Sequence, residues 1–213
     1  MPVLNEAAGL RDALEALAPL RRRGHEVIVV DGGSEDGSAG LAAGLCDRVL
    51  RAPRGRALQM NAGARAAAGA GIVFLHADTR LPADAERAVL GALREHAWGR
   101  FDVRIEGRHP LLALVAWAMN VRSRLTGIAT GDQAIFVRRA AFAGFPEIAL
   151  MEDVAFSKAM KLASRPACLR ERVRTSGRRW ERRGVLRTVL LMWRLRLAYA
   201  LGADPQRLAE RYR

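Results

Sequence analysis

An acidic side chain follows an apolar run of the sequence at the point where a strand would end. Asp31 comes directly after residues 27–30 and is followed by Gly32 and Gly33. In open parallel sheets, ligands bind beyond the carboxyl ends of the strands. A carboxylate placed there can accept hydrogen bonds from a ribose or a base, and glycines let the backbone approach a ligand closely. We therefore predict that Asp31 contacts a nucleoside, with an ordinary turn residue as the alternative.

A second acid stands in the same relation to a later apolar run. Asp78 follows residues 72–75 and closes the sequence His76-Ala77-Asp78. Because Pro82 lies shortly beyond it, Asp78 could simply begin a helix. Its position after an apolar strand instead favours a place in a binding site.

Two adjacent acids, Glu152 and Asp153, precede a helical pattern at residues 154–162. Acids are common in the first turn of a helix because they complement the helix dipole, so a structural role is one interpretation. We favour a functional role for the pair.

The first half of the sequence supplies the elements that would position these acids. Helices are predicted at residues 10–17 and 57–68, with a short helix capped by Ser34 and Asp36, and strands at residues 27–30, 48–50 and 72–75. This alternation predicts an α/β fold with a mostly parallel sheet and helices on both faces. The first strand retains only residues 2–4, so we expect it to be truncated.

The regular alternation breaks down in the second half. Helices are predicted from beyond Pro82 to Glu95 and at residues 111–125, 154–162 and 185–201, with strands at residues 100–105 and 134–137. We find no internal repeat and no linker. We therefore predict one domain over residues 1–213, with a nucleotide half at about 1–98 and an acceptor half at about 99–213.

Composition excludes several classes of protein. No uncharged apolar run is long enough to span a bilayer, and the N-terminus does not resemble a signal peptide. Cys46 and Cys168 lie outside any motif with metal-ligand spacing, so neither a disulfide framework nor a zinc site is expected. The cytoplasm is the default compartment.

The net charge of +13 is concentrated near the end of the chain. Residues 165–213 contain 14 Arg against 4 acids and therefore carry +10 of that charge. Such a segment could contact substrate phosphates or anionic lipid, whereas nucleic acid is the weakest candidate because no RNA-binding aromatic motif is present. We expect the stripe of Leu190, Leu191, Trp193, Leu197 and Tyr199 to be core or packing surface in preference to a lipid site. The same helix carries Arg187, Arg194 and Arg196, so contact with a membrane surface is an open alternative.

The chain resembles a family 2 glycosyltransferase of the GT-A fold, and specifically the small bacterial transferase-2 group associated with radical-SAM and selenodomain proteins. Six segments carry this resemblance in the expected order: residues 2–6 (PxxNE), 30–36 (VDGGSxD), 55–63 (GRAxQMNxG), 76–78 (the DxD place), 131–133 (GDQ) and 151–153 (the ED place).

The resemblance implies a nucleotide-sugar site, in which Glu6 and Asp31 bind the nucleoside. The residues it assigns to this site are Pro2, Asn5, Glu6, Asp31, Gly32, Gly33, Arg56, Gln59, Asn61 and Asp78. It also implies that Asp78 holds a divalent cation, Mg²⁺ or Mn²⁺, against the diphosphate of the donor. His76 replaces the first acid of DxD, and if it were a second ligand it would favour Mn²⁺.

The resemblance also implies the acceptor-side residues. Asp153 matches the base that an inverting transferase needs, and Glu152 tunes it or contacts the acceptor. An acceptor and phosphate set is assigned to Gly131, Asp132, Gln133, Arg178, Arg179 and Trp180. Ser176 replaces the glutamine of the QxxRW motif of processive members, so we expect a non-processive enzyme.

The predicted activity is transfer of a hexosyl group from a UDP- or GDP-sugar to an unidentified acceptor, with a lipid-linked acceptor as one candidate. The predicted location is cytoplasmic, with peripheral contact at the inner membrane face as an open alternative. A nucleotidyltransferase is less favoured because residues 2–6 do not form a basic phosphate-binding loop. The alternative from another class is a catalytically silent protein that binds nucleotide sugars or acts as a membrane scaffold.

Overall fold

Helices and strands alternate along residues 1–212, the part of the chain that the computed structural model describes. The strands are β1 (Pro2–Val3), β2 (Ile28–Asp31), β3 (Arg48–Arg51), β4 (Gly71–Val73), β5 (Thr79–Arg80), β6 (Trp98–Glu106), β7 (Phe136–Arg138) and β8 (Ala167–Ser176). The helices are α1 (Ala7–Glu15), α2 (Ala18–Arg22), α3 (Ser38–Ala42), α4 (Arg56–Ala66), α5 (Ala85–Glu95), α6 (Leu111–Thr126), α7 (Glu152–Ala163), α8 (Arg178–Arg183), α9 (Val185–Ala200) and α10 (Pro205–Tyr212).

Three short strands form a parallel sheet in the order β1-β2-β3. All four residues of β2 are buried, as expected for a strand covered on both faces of a parallel sheet. Val3 pairs with Asp31, and Asp31 pairs with Arg51. The carboxyl ends of these strands therefore lie at one edge, which brings the segments after β1 and β2 together.

The larger sheet has the order β4-β7-β6-β8-β5 and is mixed. β6 pairs parallel with β8 and antiparallel with β7, while β4 and β5 pair antiparallel with their neighbours. The predicted α/β class is confirmed, and parallel pairing is complete only in the smaller sheet.

A buried polar network attaches α6 to the larger sheet. The side chain of Arg100 is fully buried, forms an ion pair with Asp102, and donates from Nε to Ser123 Oγ at 3.0 Å. Arg124 Nη2 donates to the other oxygen of Asp102 at 2.6 Å. Because ionised groups are costly to bury unless paired, this network holds α6 in one position on β6.

Only part of the α9 stripe packs against the core. Leu190, Trp193 and Leu197 expose 63%, 73% and 62% of their surface, and Leu191 and Tyr199 are only partly buried. Leu186 and Leu201 extend the exposed stripe at helical spacing. The stripe turns away from the core because Val185 and Leu195 occupy the inward face of α9. Within residues 1–212, no helix is both long and apolar enough to cross a membrane.

Candidate active site

The segments after β1 and β2 are held together by side-chain hydrogen bonds. The Asn5 amide donates to Ser34 Oγ at 2.9 Å, and the Glu35 amide donates to Asn5 Oδ1 at 2.9 Å. Asp36 accepts the Ala7 amide at the start of α1 at 2.9 Å. Asn5 has a φ of 55°, a left-handed conformation that asparagine tolerates better than most residues. Two predicted nucleotide segments therefore form one loop pair.

Asp31 lies at the base of this loop pair and is 2% exposed. Its carboxylate accepts the amides of Gly33 at 3.1 Å and Ser34 at 3.1 and 3.2 Å. Burial raises the pKa of Asp31, but hydrogen bonds from Ser34 and Gly33 outweigh it and leave the pKa below its ordinary value. The carboxylate is therefore ionised. It holds the turn at Gly33 and Ser34 by accepting their amides, and it faces the loop pair.

Gln59 fixes the strand ends beneath the loops. Its Nε2 donates to the carbonyls of Val3 and Val30, both at 2.8 Å. Gly32 lies directly above, where an added Cβ would be 3.0 Å from the Gln59 amide. The side chain of Gln59 therefore positions β1 against β2, and Gly32 is required by this close approach.

Asn61 joins α4 to the segment before α7. Its Nδ2 donates to the Phe145 carbonyl at 2.9 Å, and its Oδ1 accepts the Phe145 amide at 2.7 Å. These paired bonds hold α4 against the segment before α7.

Glu6 lies near enough to Asp78 for the charge of Asp78 to act on it. Burial raises the pKa of Glu6, the charge of Asp78 raises it further, and the charge of Arg178 opposes both. The Asp78 carbonyl accepts the Ser176 amide at 3.2 Å, which fixes this segment beside the end of β8. Arg178, at the start of α8, donates from Nε to Ser176 Oγ at 3.1 Å. One cation and two carboxylates therefore converge from three separate segments.

His76 lies on the turn formed by Gly131 and Asp132. Its Nδ1 is 3.6 Å from Asp132 Oδ1, and a Cβ added to Gly131 would lie 2.5 Å from the imidazole. Burial lowers the pKa of His76, but the hydrogen bond and charge of Asp132 outweigh it and raise the pKa. The imidazole is thus engaged with the acceptor-side turn. Gln133, fully buried, closes that turn by accepting the Thr130 amide at 3.2 Å.

The acidic pair at the start of α7 lies beside the same turn. Asp153 Oδ2 accepts the Gly131 amide at 3.0 Å, while Glu152 Oε1 is 2.7 Å from Arg56 Nε at the start of α4. Glu152 is 3% exposed, and its Oε2 has no hydrogen-bond partner among the described residues. Burial raises the pKa of Glu152, and the charge of Arg56 opposes this effect. The two acids therefore have different surroundings, and Asp153 is the more accessible.

The last helices bring further side chains to the site. Arg179 stacks on the ring of Tyr212, with 4.0 Å between its guanidinium carbon and the ring centroid, and its charge lowers the pKa of Asp132. Trp180 is partly buried and packs on the main core, so it anchors α8. Tyr212 was missed from the sequence because no motif surrounds it. Burial raises its pKa, and Arg179 and Arg56 oppose this effect.

Two arginines near the acidic pair were also missed. Arg122 on α6 and Arg196 on α9 both feel the charge of Asp153. The sequence left membrane contact open for Arg187, Arg194 and Arg196 together, but Arg196 is partly buried whereas the other two are exposed. In the sequence, Arg196 is an arginine within an apolar helical pattern. That pattern alone does not specify which face of the helix Arg196 occupies.

The carboxylates fit a metal ion only if the substrate completes its shell. Residues 1–212 contain no group of three or more His, Cys, Asp or Glu side chains placed to hold a metal ion. Mg²⁺ is commonly bound by one or two carboxylates together with substrate phosphates. Asp78, with Glu6 nearby, fits that arrangement.

Solved structures share this architecture. Mannosyltransferase PcManGT from Pyrobaculum calidifontis, in complex with GDP-Man and Mn²⁺, has a TM-score of 0.66 at 21% identity, with 96% of this chain and 64% of that chain covered. Mannosyl-3-phosphoglycerate synthase from Rubrobacter xylanophilus has a TM-score of 0.60 at 21% identity, with 95% and 74% covered. S. aureus TarS 1–349 in complex with UDP has a TM-score of 0.65 at 18% identity, and the match covers 82% of this chain and 58% of that chain. No curated protein sequence matches the chain.

The fold is therefore that of the GT-A glycosyltransferases, as predicted. The chain belongs to glycosyl transferase family 2, whose family model matches residues 1–146. The narrower placement in the group associated with radical-SAM and selenodomain proteins stays a prediction.

Proposed function

We propose that this protein transfers a sugar, with inversion and without processivity, from a nucleoside-diphosphate sugar to an acceptor hydroxyl. One observation carries the proposal: the ion pair of 2.7 Å between Arg56 and Glu152 joins the start of α4 to the start of α7. This contact supports a single site that contains both the proposed donor side and the proposed base. Solved relatives in complex with UDP or GDP-Man support a UDP- or GDP-sugar as donor.

On the donor side, Asp31 and Glu6 are assigned to the nucleoside, with Pro2, Asn5, Gly32 and Gly33 shaping the loops around it. Gln59 and Asn61 serve by holding this framework. The diphosphate faces Arg56, Arg178 and Arg179, because guanidinium groups match phosphate oxygens in charge and geometry.

A divalent cation, Mg²⁺ or Mn²⁺, would be held by Asp78, and Mn²⁺ in the PcManGT complex supports this assignment. When bound, it would neutralise the charge that builds on the departing diphosphate. His76 remains a proposed second ligand, and its contact with Asp132 gives it a positioning role in the protein alone.

On the acceptor side, Asp153 is assigned as the base that takes the proton of the attacking hydroxyl. Glu152 is buried and paired with Arg56, which leaves Asp153 as the acid able to approach an acceptor. The Gly131, Asp132 and Gln133 turn fixes Asp153 through the amide of Gly131.

A lipid-linked acceptor is supported by the surface of α9. Five large apolar side chains lie exposed along one stripe of this helix: Leu186, Leu190, Trp193, Leu197 and Leu201. Arg187 and Arg194 are exposed on the same helix. Such a face lies well at the boundary between acyl chains and anionic headgroups. We propose peripheral attachment at the cytoplasmic face of the membrane.

Nucleotide binding tests the proposal directly. UDP or GDP should raise the melting temperature when Mn²⁺ is present and much less in EDTA, because a ligand that binds only the folded state stabilises it. Equal shifts with and without metal would contradict the role of Asp78, and no shift with any nucleotide would contradict the function. Binding without any hydrolysis of donor sugars would favour the catalytically silent alternative.

A further inference from the structure

Two arginines on helices that pack against each other have buried nitrogens without hydrogen-bond partners among the described residues. Arg122 Nη2 on α6 and Arg196 Nε on α9 are buried, and neither has a partner among the described residues. A buried donor left unsatisfied is destabilising, and more so when it carries charge. The arrangement is therefore unfavourable in the protein alone.

The charges around the two arginines are also unfavourable. Burial lowers the pKa of Arg122 to about 10, and the positive charge of Arg196 contributes to that decrease. Asp153 attracts both guanidinium groups, and Asp132 attracts Arg196, but no ion pair within 4.0 Å links either arginine to an acid among residues 1–212. Two desolvated cations thus share one region that lacks a matching anion within contact distance.

The position of the pair identifies the side of the reaction it serves. α6 and α9 belong to the acceptor half, and the acids whose charges reach both helices are Asp153 and Asp132. The donor-side acids Glu6 and Asp78 instead have Arg178 beside them. An anion held between Arg122 and Arg196 would therefore lie next to the proposed base.

We infer that Arg122 and Arg196 form a subsite for a phosphate group carried by the acceptor. This inference rests on the proposed function, because it defines the substrate class of the same site. A phosphomonoester carries close to two negative charges at neutral pH and several acceptor oxygens. It would satisfy the unpartnered nitrogens of both arginines and place a nearby hydroxyl of the same molecule at Asp153.

Inorganic phosphate is the probe for this subsite. Calorimetric titration of wild type at constant ionic strength should detect binding, and Arg122→Gln and Arg196→Gln should each weaken it by about tenfold or more, the loss of one charge-assisted hydrogen bond. Arg194→Gln is the matched control, because Arg194 is exposed on the same helix and loses the same charge. Equal weakening in all three variants, or no detectable binding to wild type, would overturn the subsite.

A second titration separates this inference from the proposed function. Saturating UDP or GDP with Mn²⁺ should leave phosphate affinity within about twofold of its value without nucleotide, since the two anions occupy different places. Competition between nucleotide and phosphate would overturn the acceptor assignment. The nucleotide titration performed without phosphate tests the proposed function alone, so the two failures are distinguishable.

Vesicles distinguish a lipid phosphate from a soluble one. Wild type and Arg196→Gln are compared on phosphatidylcholine vesicles with and without phosphatidic acid, whose headgroup is a phosphomonoester. Weaker binding of Arg196→Gln only to vesicles with phosphatidic acid supports the subsite with a membrane-borne acceptor. In the other supporting outcome, both proteins bind these vesicles equally while Arg196→Gln loses affinity for inorganic phosphate. That result supports the subsite with a soluble acceptor.

Discussion

At the scale of single residues, the motif residues divide by what their side chains contact. Gln59 and Asn61 use their amides on backbone groups of Val3, Val30 and Phe145, and so hold the segments in place. Glu6 and Asp78 instead interact through charge, with much less local bonding. A motif thus combines groups that build the site with groups that are free to meet a ligand.

Asp31 does both, and its substitution should show both effects. Asp31→Ala should weaken nucleotide binding and also lower folding stability by about 1 to 3 kcal/mol, because the amides of Gly33 and Ser34 lose their acceptor. Asp31→Asn keeps an acceptor oxygen and should retain more stability. Nucleotide titration and denaturant unfolding on the same preparations measure the two effects.

The stability effect has a defined pH dependence. The folded pKa of Asp31 lies below its ordinary value of 3.8, so the stabilisation by its carboxylate is fully present above pH 3.8 and is lost as the pH falls through the folded pKa. The difference between wild type and Asp31→Ala should shrink over that acid range. A difference that stays constant there would show that the charge of Asp31 does not contribute to folding.

The sequence singled out Asp31 and Asp78 as candidates because chemistry and position agreed for them. Asp31 ends the buried strand β2, and Asp78 lies between β4 and β5. Arg122, Arg196 and Tyr212 have no such local signal. Their proximity to Asp153 or Asp132 arises from how α6, α9 and α10 pack, which a pattern along one segment does not encode.

At the scale of elements, periodicity predicted the long helices and most strands. The bounds of α1, α4, α6 and α9 lie within a few residues of the helical patterns. β8 was missed although its sequence alternates: Arg170, Arg172 and Arg174 are exposed, while Val173 and Thr175 are buried. The density of arginine obscured this period of two. Without β8, the mixed character of the larger sheet could not be anticipated.

The network between α6 and β6 should matter strongly for stability. Asp102→Ala removes the shared partner of Arg100 and Arg124 and leaves the fully buried Arg100 without its carboxylate. Breaking a buried ion pair in this way costs about 3 to 5 kcal/mol. Denaturant unfolding should show this loss, with Glu106→Ala as a control because its ion pair with Arg174 is exposed. A loss below about 1 kcal/mol for Asp102→Ala would contradict the role of the network.

At the scale of the whole molecule, basic charge and exposed apolar surface occur in the same quarter of the chain. Most of the net charge of +13 lies beyond residue 164, where α9 also exposes its apolar stripe. Between α9 and α10 there is an open groove of about 460 Å³, lined largely by leucines with Arg194 and Arg211 beside them. The site and this surface both use α9, through the partly buried Arg196 and the exposed Trp193.

We expect binding to anionic vesicles that exceeds binding to neutral ones and falls as salt is added, because charge attraction is screened over roughly 8 Å at physiological ionic strength. Trp193→Ser should weaken this binding by about tenfold, since burying a large apolar side chain contributes roughly 1.5 to 3 kcal/mol. Leu162→Ser is the matched control, because Leu162 is 92% exposed but lies on α7. Equal binding of both variants would remove the stripe from the interaction.

The proposed role of Asp153 is proton transfer in a glycosyltransferase site. The most direct measurement is donor hydrolysis by the Asp153→Asn variant. Asparagine keeps an oxygen for the Gly131 amide but does not accept the proton, so turnover of UDP- or GDP-sugars with Mn²⁺ should fall by about 10²-fold or more while nucleotide affinity is unchanged. Glu152→Gln should have a milder effect. If both acids served only the helix dipole, each substitution would cost about 0.3 to 1 kcal/mol of stability and leave turnover per folded molecule unchanged. A fully active Asp153→Asn enzyme would contradict the account, and a larger loss in Glu152→Gln would assign the base to Glu152.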